Sequence, residues 1–157
     1  MPHVRPSIAD KRRAFHRLHQ DGCFVLPNPW DVGSARYLQT LGFKALATTS
    51  SGFAWSHGHR DGAMSRDRVL DHLTEMVEAT DLPINADFEH GFSPDAAGVA
   101  DIIEQIDSDK MLLFASDYPH WQFDGDDAMP PHLPASIVSR MCADNPLETF
   151  PRLKLAA

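Results

Sequence analysis

No stretch of the 157 residues approaches the ~20 uninterrupted apolar positions that a membrane-spanning helix needs. The first ten residues lack the apolar core of a secretory signal. Only two cysteines occur, Cys23 and Cys142. They cannot build a disulfide framework, so a reducing cytoplasm is the expected compartment. Cations are scarce in the second half: residues 81–157 hold four Lys/Arg against fourteen Asp/Glu, whereas residues 1–80 hold ten against eight. The net charge is −8, and an acidic half repels a phosphate backbone, so nucleic acid is not an expected partner. The P-loop, the Gly-x-Gly-x-x-Gly fingerprint, the Gly-x-Ser-x-Gly elbow and the His-Glu-x-x-His pair are all missing. Readings as an ATPase, a dinucleotide enzyme, a serine hydrolase or a zincin therefore lack support. What remains is an ordinary globular composition, 43% hydrophobic and 23% charged. The length suits one domain with a real core. It falls short of a complete (β/α)₈ barrel, which typically takes ~250 residues.

Strands and helices alternate along the chain. Ser7 and Asp10 fit a capping box, with Phe15 and Leu18 on the helix behind it. The basic residues Lys11, Arg12, Arg13 and Arg17 on that helix read as a solvated face. Cys23–Leu26 reads as a buried strand ended by Pro27 and Pro29. Val32, Ala35, Leu38 and Leu41 have helical spacing, and Lys44–Thr48 reads as a second strand. Ser65 caps a helix with a stripe at Val69, Leu70, Leu73, Met76 and Val77. Leu82–Asp87 reads as a third strand. Ser93 is the expected N-cap of the next helix, with Pro94 at its first position and Val99, Ile102, Ile103 and Ile106 along it. Met111–Ala115 reads as a fourth strand. Gly125–Pro134 is a proline-rich loop, and Ile137, Val138 and Met141 lie on a last helix.

Strands joined through helices are parallel, and such sheets place ligands beyond the C-terminal strand ends. Those ends carry Asn28 and Trp30, then Thr49-Ser50-Ser51-Gly52, then Asp87, Glu89 and His90, then Ser116-Asp117. Asp87 and Glu89 are the sharpest pair. A period of two puts both side chains on one side if the chain stays extended. Their mutual repulsion is relieved by a divalent cation, and Mg²⁺ commonly takes one or two carboxylates and keeps several waters. A solvated strand end with ordinary turn acids is the other reading of that spacing. His57-Gly58-His59 has a ligand-like spacing, but no second cluster at zinc spacing accompanies it. Exposed loop histidines are expected there.

From about Lys11 to Ala100 the chain resembles the isocitrate lyase/phosphoenolpyruvate mutase superfamily. The matching stretches are Leu26–Ala35, Gly42–Ser56, Asp61 and Leu82–Gly91. The resemblance implies a Mg²⁺-dependent (β/α)₈ barrel acting on 2-oxo acids or their enolates. Its members break or rearrange a C–C or P–C bond beside the carbonyl. It implies that Asp87 holds Mg²⁺ and that Glu89 contacts it through water. It places Ser50, Ser51 and Gly52 near the substrate carboxylate and Asp61 beside the reacting group; Trp30, at the end of the first strand, is a further expected substrate contact. A second resemblance begins near Lys110. Met111–Trp121, Leu133-Pro134 and Asp144-Asn145 look like the C-terminal end of decarboxylase-type amidohydrolases. It implies a metal-binding or proton-transferring role for Asp117, with Zn²⁺ as the alternative cofactor.

The expected fold is therefore α/β, a half (β/α) TIM-type barrel of about four parallel strands. Residues 1–108 form the lyase/mutase-like segment and 109–157 the amidohydrolase-like one. The later glutamate and the lysine-bearing catalytic loop of the first family do not follow residue 100. The expected activity is that of a lyase or mutase on a small 2-oxo acid. The alternatives are an amidohydrolase-type hydrolase or decarboxylase, and a non-catalytic fusion remnant. Four strands leave two open edges, so a homo-oligomer is expected.

Overall fold

The computed structural model describes residues 4–93, 95–116 and 129–154. The chain forms two compact units, Met1–Glu89 and His90–Ala157.

In the first unit, α1 (Ile8–Leu18) opens with the expected capping box, Ser7 and Asp10 bonding reciprocally. Asp31 caps α2 (Val32–Thr40) through a 2.6 Å bond from the Ser34 amide. Strand β1 (Leu46–Ala47) leads into α3 (Ser50–Ser56), and Ser65 caps α4 (Arg66–Ala79). Strand β2 (Ile84–Asn85) returns parallel to β1, with Leu46 opposite Ile84 and Ala47 opposite Asn85. Burial explains the β1–α4–β2 unit. Leu46, Ala35 and Met76 are fully buried against one another, with Val32, Leu38, Leu82 and Ile84 around them. Apolar contact from α2 and α4 thus covers one side of the small sheet.

The sheet is smaller than expected, with two strands among the described residues. Residues 24–26 form no ladder. Pro27 has no amide to donate, and one backbone bond, from the Ala47 amide to the Pro27 carbonyl at 2.9 Å, ties the segment to β1. Nor is that run buried throughout, since Val25 is 67% exposed and Cys23 is exposed. Lys11 also departs from the solvated-face reading. Its Nζ donates to the carbonyls of Val77 and Thr80 at 2.7 and 2.6 Å. Arg36 donates to Ala79 and Arg5 to Glu78, so cations close the carbonyl end of α4.

In the second unit, α5 (Ala96–Gln105) is capped by Asp95 and not by Ser93. Ser93 is buried instead, its Oγ donating to the Asp95 carbonyl at 2.8 Å. A methyl group on Gly98 would lie 2.2 Å from that Oγ, so a larger residue there would have to displace the Ser93 hydroxyl. Pro94, expected at the first helical position, lies outside the described residues. Helix α6 (Ala135–Ser139) runs through a π-helical turn (Arg140–Asp144) into α7 (Asn145–Thr149). The expected fourth strand, Met111–Ala115, does not form; that segment is held to this tail by one backbone bond, from the Phe114 amide to the Met141 carbonyl.

Helix α5 ends in a Schellman motif. The Ser108 amide bonds the Ile103 carbonyl and the Asp107 amide bonds Glu104. Asp107 takes the left-handed position, φ 50°, which favours glycine. Asp107→Gly should therefore raise stability by up to about 1 kcal/mol, because relief of the left-handed strain exceeds the extra chain entropy glycine loses on folding. Urea unfolding checks this. A destabilised variant would show that the aspartate contributes more than its backbone costs.

Candidate functional site

Parallel pairing of β1 and β2 brings two chain segments out side by side. Thr48 and Thr49 leave β1 and Asp87 leaves β2. Thr48 is buried, and its Oγ1 accepts the Asp87 amide at 2.9 Å. The Asp87 carboxylate is fixed from two directions. Its Oδ2 accepts the Ser50 amide at 3.0 Å and its Oδ1 accepts the Glu89 amide at 3.1 Å. Each oxygen keeps a further lone pair. Two donors at fixed angles hold the group in one orientation on an otherwise exposed strand end.

Glu89 takes φ 50°. A non-glycine residue there is uncommon and costs energy, so its surroundings impose the conformation. Burial raises its pKa to about 6, with further contributions from Asp61 and then Asp87. Asp61 and Asp87 thus both lie within electrostatic reach of Glu89. Among the described residues no cluster of three or more His, Cys, Asp or Glu side chains is placed to hold a metal ion. The donor chemistry still suits Mg²⁺, which takes hard carboxylate oxygens one or two at a time and completes its shell with water.

Helix α3 was not legible in the sequence. Thr49 caps it, accepting the Gly52 amide at 3.3 Å, and its Oγ1 lies 3.2 Å from the Ser51 Oγ. Ser50 contributes its amide to Asp87 as the first residue of this helix. Gly52 sits where a methyl group would lie 2.8 Å from the Thr49 Cγ2 and 3.0 Å from the Trp30 Cβ. Trp30, 47% exposed, therefore stands directly against the Ser50–Gly52 turn. His57 is exposed, but its Nδ1 bonds the Phe53 carbonyl at 3.0 Å. Asp117 lies outside the described residues.

A cleft of about 480 Å³ opens beside this site, bordered by Trp30, Phe53, His57, His72 and Glu75 among others. Of the site residues expected from the sequence that the structure describes, Trp30 lines it. Thr49 was named at the strand end without its capping role, and Thr48 and His72 were missed. Thr48 was read as the end of a strand, and His72 fell between the apolar positions of its helix.

Residues 15–111 match the family model for phosphoenolpyruvate phosphomutase. Over 94 residues the chain is 37% identical to an uncharacterized protein of Mycobacterium tuberculosis, covering 59% of this chain and 36% of that one. A solved structure from Burkholderia cenocepacia J2315, provisionally named a lyase/mutase, is 49% identical with a TM-score of 0.56, covering 59% of this chain and 34% of that one. Another from the same organism, provisionally named a phosphonomutase, is 40% identical with a TM-score of 0.55, covering 59% and 39%. The chain thus spans little more than a third of the length of these relatives. The matched family region ends at residue 111.

Proposed function

Because the chain belongs to the phosphoenolpyruvate phosphomutase family, within the isocitrate lyase/phosphoenolpyruvate mutase superfamily, we propose that residues 1–108 carry the metal and substrate end of a lyase or mutase site. Its substrate is a 2-oxo acid or the corresponding enolate, and the bond broken or moved is a C–C or P–C bond beside the carbonyl. The observation supporting this most directly is the Asp87 carboxylate, oriented by the Ser50 and Glu89 amides, with Asp61 in electrostatic reach of Glu89.

Asp87 and Glu89 would hold Mg²⁺, which when bound supplies charge stabilisation for a developing enolate. The rest belongs to the chain itself. Ser50, Ser51 and Gly52 offer hydroxyl and amide donors to a substrate carboxylate. Trp30 backs that turn and supplies an apolar wall. Asp61 exchanges a proton with the reacting group, and Glu89, with a pKa of about 6, buffers the charge beside it. The protein is proposed to be cytoplasmic and to self-associate, with neither nucleic acid nor membrane as a partner. No helix among the described residues is long and apolar enough to cross a membrane.

Calorimetry with Mg²⁺ and then oxalate, an enolpyruvate mimic, tests the reading. Saturable Mg²⁺ binding followed by oxalate binding that requires Mg²⁺ is the expected result. Oxalate binding to the same extent without Mg²⁺, or no Mg²⁺ binding at all, would favour a non-catalytic remnant.

A second reading for residues 109–157 rests on their sequence motif alone. Asn145, from the Asp144-Asn145 pair of the amidohydrolase-like motif, is fully buried. Its Nδ2 donates to the carbonyls of Asp109 and Leu112 at 2.9 and 2.8 Å. It thus anchors the segment that leads into that motif. A hydrolase or decarboxylase using Asp117 would show Zn²⁺-dependent activity.

A further inference from the structure

The cleft beside the site contains a histidine that the proposed reaction does not use. His72 sits on the buried stripe of α4 and is 8% exposed. Its ring lies flat on Phe53 of α3, with centroids 3.9 Å apart and planes 11° from parallel. Its Nε2 is shielded from water and has no hydrogen-bond partner. A proton added there would be a buried, unpaired donor on a cation. The neutral ring is therefore the form that packs.

The surrounding charges do not remove this constraint. His57, at the C-terminal cap of α3, makes a cation on the ring less favourable. Glu75 on α4 and Asp31, the N-cap of α2, act in the opposite sense. Arg68 and Asp71 border the same cleft from the exposed side of α4. Burial outweighs these carboxylates and holds the imidazole below its ordinary value.

Phe53 connects this ring to the site. It is buried in α3, three residues after Ser50, whose amide holds Asp87. One side of α3 thus rests on His72 while its first turn orients the carboxylate. We propose that His72 is a positioning residue: stacked and neutral, it holds α3 so that the Ser50 amide meets Asp87, and protonating it releases that amide. The inference rests on Asp87 being the functional carboxylate, but its test requires no metal.

The test uses the ¹⁵N-labelled chain, read by NMR for the His72 ring titration and for Ser50 amide exchange. Exchange is expressed relative to the chemical rate at each pH. Protection of Ser50 should be lost as His72 is protonated. His72→Phe keeps an aromatic ring on Phe53 but cannot titrate. In that variant Ser50 should stay protected across the same range, apart from loss due to the site carboxylates. Reciprocity adds an arm that leaves the core untouched. Asp87→Asn weakens the Ser50 contact, so the His72 pKa should rise toward its ordinary value of about 6.5. If Ser50 loses protection identically in His72→Phe, or if the His72 pKa is unmoved in Asp87→Asn, the proposal is wrong. Should His72→Phe fail to fold, the Asp87→Asn arm decides alone. Failure of Mg²⁺ or oxalate to bind would leave this result standing, so the two readings fail separately.

Discussion

Asp87→Asn should abolish Mg²⁺ binding while the chain stays folded. The carboxylate accepts one amide on each oxygen. Asparagine can accept only one of them, and its NH₂ group would face the other donor. The variant therefore loses both the charge that attracts the cation and the geometry that aims it. The cost to folding should be modest, about 1–3 kcal/mol for one mispaired donor, and lower in that range because Asp87 is exposed. Calorimetry with Mg²⁺ and a thermal melt separate the two effects. Unchanged Mg²⁺ affinity would remove Asp87 from the site.

The same residue changes the pH response. Glu89 is protonated below about pH 6, so Mg²⁺ binding by the unaltered chain should weaken as pH falls through that value. A folded pKa raised above the ordinary carboxylate value contributes stability at low pH that is lost as pH rises through about 6. His72 acts in the opposite direction. With its folded pKa lowered, its contribution is complete above about 6.5 and is lost as pH falls from there. The two partly cancel in a pH-stability curve. In Asp87→Asn the Glu89 pKa should drop only in part, because burial is the larger cause.

Leu46→Ala is the second large effect, an expected loss of about 2–5 kcal/mol. Leu46 is 0% exposed and meets Ala35 and Met76 with Val32, Leu38, Leu82 and Ile84 around them. Because β1 and β2 are two residues each, few backbone bonds compensate for a cavity there. A loss of this size is a large share of the 5–15 kcal/mol that typically holds a domain together. Urea unfolding of the variant measures it. A change below about 1 kcal/mol would place the main core elsewhere.

The helices were the legible part of the fold, because capping chemistry is local. Ser7 with Asp10, and Ser65 ahead of Arg68, carry their partners within three residues. Ladders are not local. Phe24–Leu26 and Leu112–Ala115 have the apolar content of strands, yet their backbone partners lie elsewhere. The Pro27 carbonyl reaches Ala47, and Phe114 reaches Met141. The alternation of elements did place Asp87 and Ser50 at adjacent chain exits, and the structure joins them with a hydrogen bond. Helix α3 was hidden because Ser50, Ser51 and Gly52 suit a loop as well as a first helical turn. Thr48 was hidden because its role, holding the Asp87 amide, depends on the parallel register.

The cations at the end of α4 carry a practical consequence. Lys11 and Arg5 reach that helix from the N-terminal segment. Its last residues lead through Pro83 into β2, and so to Asp87. A protease that clips the chain ahead of Arg12, or an acetyl group on Lys11, would uncap those carbonyls. Fraying would then begin a few residues upstream of the carboxylate site. Affinity tags are commonly placed at the N-terminus and later cleaved. Material trimmed past residue 11 would lose these contacts, although nothing within the site itself had been altered.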